Sequence, residues 1–177
     1  MGQLGARPDP GGTRRVKNDR LGSAAELRPD LKIGVRWTHG VAFETGPAHR
    51  TIVVDGHSKE GQSPPELLLS ALATCTAVDV VLILAKRRTP VASLEVDVIA
   101  ERKDESPRRL VKAHLDYRIT GAGIERVHAE RAIERAVTKY CTVRDTMDPE
   151  MPVTWSLELS ATQFPESMPE FGEKNPS

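Results

Sequence analysis

The feature that most restricts this chain is a run of 19 residues, Leu67 to Ala85, containing neither Lys nor Arg. Its ends are written into the sequence. Ser63 is placed as an N-cap, Pro64 suits the first helical position and Glu66 falls at the third, which makes a Ser-x-x-Glu capping box. Lys86, Arg87 and Arg88 lie in the last turn, where cations oppose the helix dipole, and Pro90 stops the run. A helix is predicted over 64–88. Its length would suit a bilayer. However, Asp79 stands mid-run, where a carboxylate is costly in hydrocarbon, and Ser70, Thr74 and Thr76 dilute the hydropathy. The rest of the chain also needs an apolar centre to fold around. The expectation is therefore a core helix buried on all sides, not a membrane span.

The segments around that helix have strand character. Leu31 to Trp37 alternates apolar and polar residues, and 41–45 and 51–55 form two more short strands, broken at Gly46-Pro47 and Asp55-Gly56. Together they predict a small antiparallel meander. After the helix, 91–102 and 110–120 alternate again, with a hairpin connection at 104–107. A second helix is predicted over 124–141, with Ile133, Ala136, Val137, Tyr140 and Cys141 on its apolar stripe. A strand at 153–159 closes the domain. The order β-β-β-α-β-β-α-β is an α+β arrangement, with the first helix beneath the sheets. At 177 residues a single domain is expected, spanning 29–161. A loose Gly/Pro/Arg-rich arm (1–28) and a loose tail (162–177) flank it.

Composition removes several function classes. Lys and Arg total 25, and so do Asp and Glu, so no basic surplus favours nucleic acid or an anionic membrane. Aromatics at 4% leave little for stacking on bases or sugars. The amino terminus lacks the charged-then-apolar order of a signal peptide, and Ala6 stands where myristoylation wants Ser or Thr. His39, His49, His57, His114 and His128 have no metal-ligand spacing, so no metal is expected. No phosphate-binding glycine loop or serine elbow is present. Two cysteines in such a chain point to a reducing cytoplasm, where a disulfide would be transient chemistry.

Those cysteines are the candidate site. Cys75 lies inside the first helix, and Cys141 ends the stripe of the second, facing whatever packs there. Contact between them needs their Cα atoms within about 7 Å, which no sequence spacing guarantees. Two inert core thiols fit the pattern as well, since free Cys is among the most buried residue types. Asp79, one turn beyond Cys75, has the wrong sign to create a thiolate.

The stretch Ser63-Pro-Pro-Glu-Leu-Leu-Leu-Ser-Ala-Leu-Ala-Thr-Cys75-Thr-Ala-Val-Asp-Val-Val81, followed by Lys139-Tyr-Cys141-Thr-Val143, resembles the OsmC/Ohr family of osmotically inducible and organic hydroperoxide resistance proteins. The similarity covers about residues 30–160 and is to the OsmC-like branch. It implies an intertwined homodimer, with sheets wrapped around two central helices and active sites at the subunit interface. It also implies cofactor-free reduction of hydroperoxides, preferring organic ones. Cys75 would attack the O–O bond and become a sulfenic acid. Cys141 would resolve it as a disulfide, which an external dithiol reduces.

The chain departs from that pattern where the family activates its thiol. The family's peroxidases carry a catalytic Glu ten residues before the reactive Cys, and Pro65 stands there. Glu66, one place off, falls on the opposite helix face and roughly 13 Å along the axis from Cys75. Its expected role is capping. An Arg from the amino-terminal hairpin holds the family's thiolate, and Arg36 and Arg50 lie in that region without a matching motif. The fold therefore leaves two other functions open: a dimer that binds a small apolar or electrophilic ligand, and a redox sensor.

Overall fold

A computed structural model of the chain describes residues 30–160. The arm at 1–28 and the tail at 162–177 lie outside the described residues. Helix α1, Pro64–Lys86, begins where the sequence placed it. The Glu66 carboxylate accepts the Ser63 N–H at 2.7 Å, the Ser63 hydroxyl at 2.8 Å and the Ser58 hydroxyl at 2.8 Å. These donors, the Ser63 amide first, hold its carboxyl below the ordinary value. Glu66 is spent on the cap. At the other end the Thr89 N–H and hydroxyl both reach the Leu84 carbonyl, at 3.2 and 3.3 Å. Arg88 at φ 64° turns the chain away ahead of Pro90.

The meander forms from β1 (Gly34–His39), β2 (Ala42–Gly46) and β3 (Ile52–Asp55), antiparallel in that order. Each strand starts one to three residues later than predicted. Gly46 ends β2 at φ 149°, where a side chain would run into the Arg50 carbonyl. Asp55 then organises the turn that leads to α1. It is 4% exposed, and its carboxylate accepts the amides of His57 (2.9 Å), Lys59 (2.9 Å) and Glu60 (3.2 Å).

The second sheet contains β4 (Ser93–Arg102), β5 (Leu110–Thr120) and β6 (Val153–Ser160). The β4–β5 hairpin is antiparallel, as predicted, with Val98 opposite Leu115. Strand β6 runs parallel to β5 and places Trp155 opposite Leu115, so pairing in the two sheets is not antiparallel throughout. The reason lies in the connection: residues 121–152 cross the sheet in helices and return the chain to the end where β5 began, which only a parallel strand can use.

The predicted second helix at 124–141 is instead three pieces. Helix α2 is Arg126–Arg135, a π turn comes next over Ala136–Tyr140, and a short helix α3 spans Thr142–Thr146. The Cys141 N–H bonds the Ala136 carbonyl, five residues back, at 3.0 Å. That extra residue rotates the downstream side chains by roughly 100° relative to the α stripe. Cys141 therefore leaves the stripe and becomes the N-cap of α3, in extended conformation.

Helices α1 and α2 pack on the inner face of the second sheet. Leu72, Val80 and Leu84 of α1 meet Leu115, Tyr117 and Ile119 of β5 and Ala132 and Ile133 of α2. The three α1 side chains are wholly buried, and each contributes about 1.5–3 kcal/mol. Their sum is comparable to the net stability of a whole domain, so this layer holds the fold. The helix is not buried on all sides, however. Val78 is 57% and Leu82 51% exposed, and Leu68 and Val81 are open as well. The first sheet leans on the rest of the chain chiefly where β3 meets α1. Its apolar face, with Val35 and Trp37 of β1 and Ile52 of β3, is uncovered.

Candidate functional site

The fold brings the two cysteines together. Cys75 sits midway along α1 and is half-buried, while Cys141 is 3% exposed. Cys75 packs against the buried cluster that contains Cys141, and both are free thiols. The stripe that carries Cys75 continues through Val78 and Leu82, so the thiol borders the open face of α1.

Cys141 is held by the residues that follow it. Its Sγ accepts the Arg144 N–H at 3.3 Å, in the first turn of α3. The Arg144 guanidinium donates in turn to the carbonyls of Asp148 (3.1 Å), Pro149 (3.2 Å) and Met151 (3.0 Å), which fastens the 148–151 loop beside the thiol. A cavity of about 340 Å³ opens on this side, with Lys139, Arg144 and Met147 in its wall.

Burial first, then the hydrogen bond with Cys75, pushes the Cys141 thiol up to about 11, against the opposing pull of the Arg144 amide. Cys141 is therefore protonated at neutral pH. The group binds its proton more tightly folded than unfolded, so its contribution to stability is complete below pH 9.0 and is lost as pH rises through about 11. The melting temperature should accordingly fall across that window, and fall less steeply in Cys141→Ser, which has nothing to titrate there. Equal slopes in thermal melts of the two proteins would contradict the burial of this thiol.

The neighbouring residue fixes how α1 is turned. The Tyr117 hydroxyl, 1% exposed, donates to Thr76 Oγ1 at 2.6 Å, and Thr76 donates to the Ala73 carbonyl at 2.9 Å. Burial pushes the Tyr117 phenol up to about 12. A fully buried hydroxyl chain of this kind costs about 1–3 kcal/mol to leave unpaired, so it locks the rotation of α1 one residue from Cys75. Sequence reasoning missed this pair. The available signal was a Thr inside an apolar helix and a Tyr on the inward positions of a strand, since each must find a partner when buried.

The other predicted residues stand apart from the sulfurs. Arg36 pairs with Glu44 across β1 and β2 and is 76% exposed on its side chain. Arg50 lies in the turn after Gly46, where its amide bonds the Pro47 carbonyl. Among the described residues, the groups that act on Cys141 are Cys75 and the amides of Val143 and Arg144, with no side-chain cation. Asp79 is half-buried on α1. Of the histidines, His39 lies 2.9 Å from Glu60, His114 contacts Thr154 and Asp116, and His128 contacts Arg87. No group of three metal-ligating side chains occurs among the described residues.

Two helices packed on a three-stranded sheet, with a separate antiparallel meander ahead of them, form an α+β fold of the OsmC type, and the chain belongs to the OsmC family: residues 56–156 match it under the description "OsmC-like protein". Protein YhfA of Escherichia coli K12 is 35% identical over 134 residues, covering 74% of this chain and 99% of that protein. The fold is shared with an OsmC-like protein from Mycoplasma pneumoniae, with a TM-score of 0.65 at 16% identity, covering 74% of this chain and 97% of that one. It is also shared with an organic hydroperoxide resistance protein OsmC from Legionella pneumophila, with a TM-score of 0.51 at 11% identity, covering 75% and 99%.

Proposed function

We propose that this protein is a cytoplasmic, homodimeric thiol peroxidase that reduces organic hydroperoxides without a cofactor. The observation that carries the reading is the adjacency of two thiols from distant parts of the chain, one half-exposed and one buried and protonated. A thiol held with its proton at neutral pH is a poor nucleophile, so attack falls to Cys75. The Cys75 sulfur takes the terminal oxygen of ROOH, the O–O bond breaks, and ROH leaves once the alkoxide is protonated. Cys75 becomes a sulfenic acid. The Cys141 sulfur then attacks Cys75, water departs carrying the sulfenic oxygen, and a disulfide forms. An external dithiol returns both residues to thiols and is itself oxidised to a disulfide.

The dimer is part of the proposal because the site is open without it. Each chain has one uncovered apolar sheet face, around Val35, Trp37 and Ile52, and one uncovered apolar helix face, around Val78 and Leu82. Two copies satisfy both at once when the meander of each lies over the α1 face of the other, in a self-complementary two-fold arrangement. Such packing would close the side of Cys75 that borders the open face. Arg36 alternates with Val35 and Trp37 and points from the other face of β1, so the cation such packing would bring from the partner subunit is Arg50, in the turn between β2 and β3.

The test is the rate at which the reduced protein consumes cumene hydroperoxide and hydrogen peroxide with dihydrolipoamide as reductant. The proposal expects sustained, dithiol-dependent turnover, faster with the organic peroxide. Consumption no faster than that of the dithiol alone would end it.

A further inference from the structure

A second concave site lies between the carboxyl-terminal half of α1 and the outer side of α2, in a cavity of about 420 Å³. Lys86 and Arg87 enter it from α1, and His128, Arg131 and Arg135 from α2. The spacing explains the convergence: His128, Arg131 and Arg135 are three and four residues apart on one helix face, as are Asp79, Leu82, Ile83 and Lys86 on the other. Four permanent cations thus share one cavity with a single carboxylate, Asp79.

Those cations are not neutralised by the described chain. Every ion pair among the described residues involves other basic groups, and none of Lys86, Arg87, Arg131 and Arg135 has a carboxylate within 4.0 Å. The acidic residues of α2 face elsewhere. Glu130 takes Arg126 at 3.3 Å, and Glu134 accepts the Trp155 indole N–H at 3.1 Å. Arg87 instead sends one guanidinium N–H to the imidazole Nε2 of His128, at 2.7 Å. A guanidinium only donates, so His128 Nε2 accepts there, while its Nδ1 lies 3.7 Å from the Glu125 carboxylate.

Like charges gathered in a concavity repel one another unless an anion joins them, and low-dielectric walls focus their field on that space. We propose that this groove binds a small organic phosphate. The phosphoryl group would sit among Lys86, Arg131 and Arg135, and the ligand's apolar body would lie on Ile83 and the Tyr140 ring. A phosphate dianion offers three acceptor oxygens and two charges to the paired guanidinium forks, whereas a monocarboxylate would leave most of the cations unmatched. The volume suits a small molecule. The inference uses neither thiol and does not depend on peroxidase activity.

The experiment is calorimetric titration of phenyl phosphate into the full chain and into Cys75→Ser. Saturable binding is expected in both, weakening as salt is raised. Arg131→Gln/Arg135→Gln, two exposed positions, should lose more than about tenfold in affinity. Lys103→Gln, at the β4–β5 hairpin, should stay within about twofold. Benzoate should bind at least about tenfold more weakly than phenyl phosphate. Absence of saturable binding, equal affinity for benzoate, or an undiminished affinity in the double variant would each overturn the assignment.

Discussion

Cys75→Ser should reduce hydroperoxide turnover by at least ~10³-fold, to the level of the dithiol alone, because a serine hydroxyl at neutral pH does not attack an O–O bond. Cys141→Ser should behave differently. Its Cys75 remains able to accept one oxygen, so the variant should consume one equivalent of peroxide per chain and accumulate a sulfenic acid, then stop. A dimedone-type probe should label Cys75 in that variant and not in the wild type, where Cys141 removes the intermediate. The asymmetry arises from the environments of the two sulfurs: Cys75 is half-buried beside an open face, and Cys141 is buried and pushed up to about 11. Equal phenotypes in the two variants, with no trapped oxidised sulfur in either, would contradict the assigned order of attack.

The second large effect should appear in the mass of the particle. Val78→Asp in α1 and Trp37→Asp in β1 each place a carboxylate on an apolar surface that is exposed in the single chain, at 57% and 63%. In a lone chain such changes are nearly neutral, within about 0.5 kcal/mol. Buried between two copies, an unpaired carboxylate costs several kcal/mol, enough to dissociate the pair at micromolar concentration. Sedimentation or light scattering should thus report a dimer for the wild type and a folded monomer for either variant, with peroxide turnover lost alongside. A wild type that sediments as a monomer would remove the dimer, and with it the proposed source of a cation for Cys75.

How much of this was legible in the sequence depends on whether the signal was local. The cap at Ser63–Glu66, the stop before Pro90 and the alternation in 110–120 are short-range rules, and the structure obeys them. The π turn at Ala136–Tyr140 had no Gly or Pro to mark it, and the apolar spacing runs smoothly through it, so one continuous helix was the natural reading. The direction of β6 depended on where a 32-residue connection returns, from 121 to 152, which no local pattern encodes. Hydrophobic periodicity also cannot say whose surface covers a face. It marked α1 as apolar all round, yet Val78 and Leu82 are open in the single chain. The meeting of Cys75 with Cys141 was of the same kind: each residue's helix could be read, but the contact belongs to the packing of two helices far apart in the chain. The Tyr117–Thr76 bond and the Arg144 clasp on the 148–151 loop were likewise visible only once the elements were assembled.

The central claim is that these two sulfurs share one sheltered contact and can be joined by oxidation. It is tested most directly by treating the reduced protein with one equivalent of cumene hydroperoxide, blocking free thiols, and mapping its peptides without reduction. The account predicts a single intramolecular Cys75–Cys141 disulfide formed in nearly every chain and fully reversed by a dithiol. Two blocked thiols, or Cys75 driven to sulfinic acid while Cys141 remains free, would contradict it.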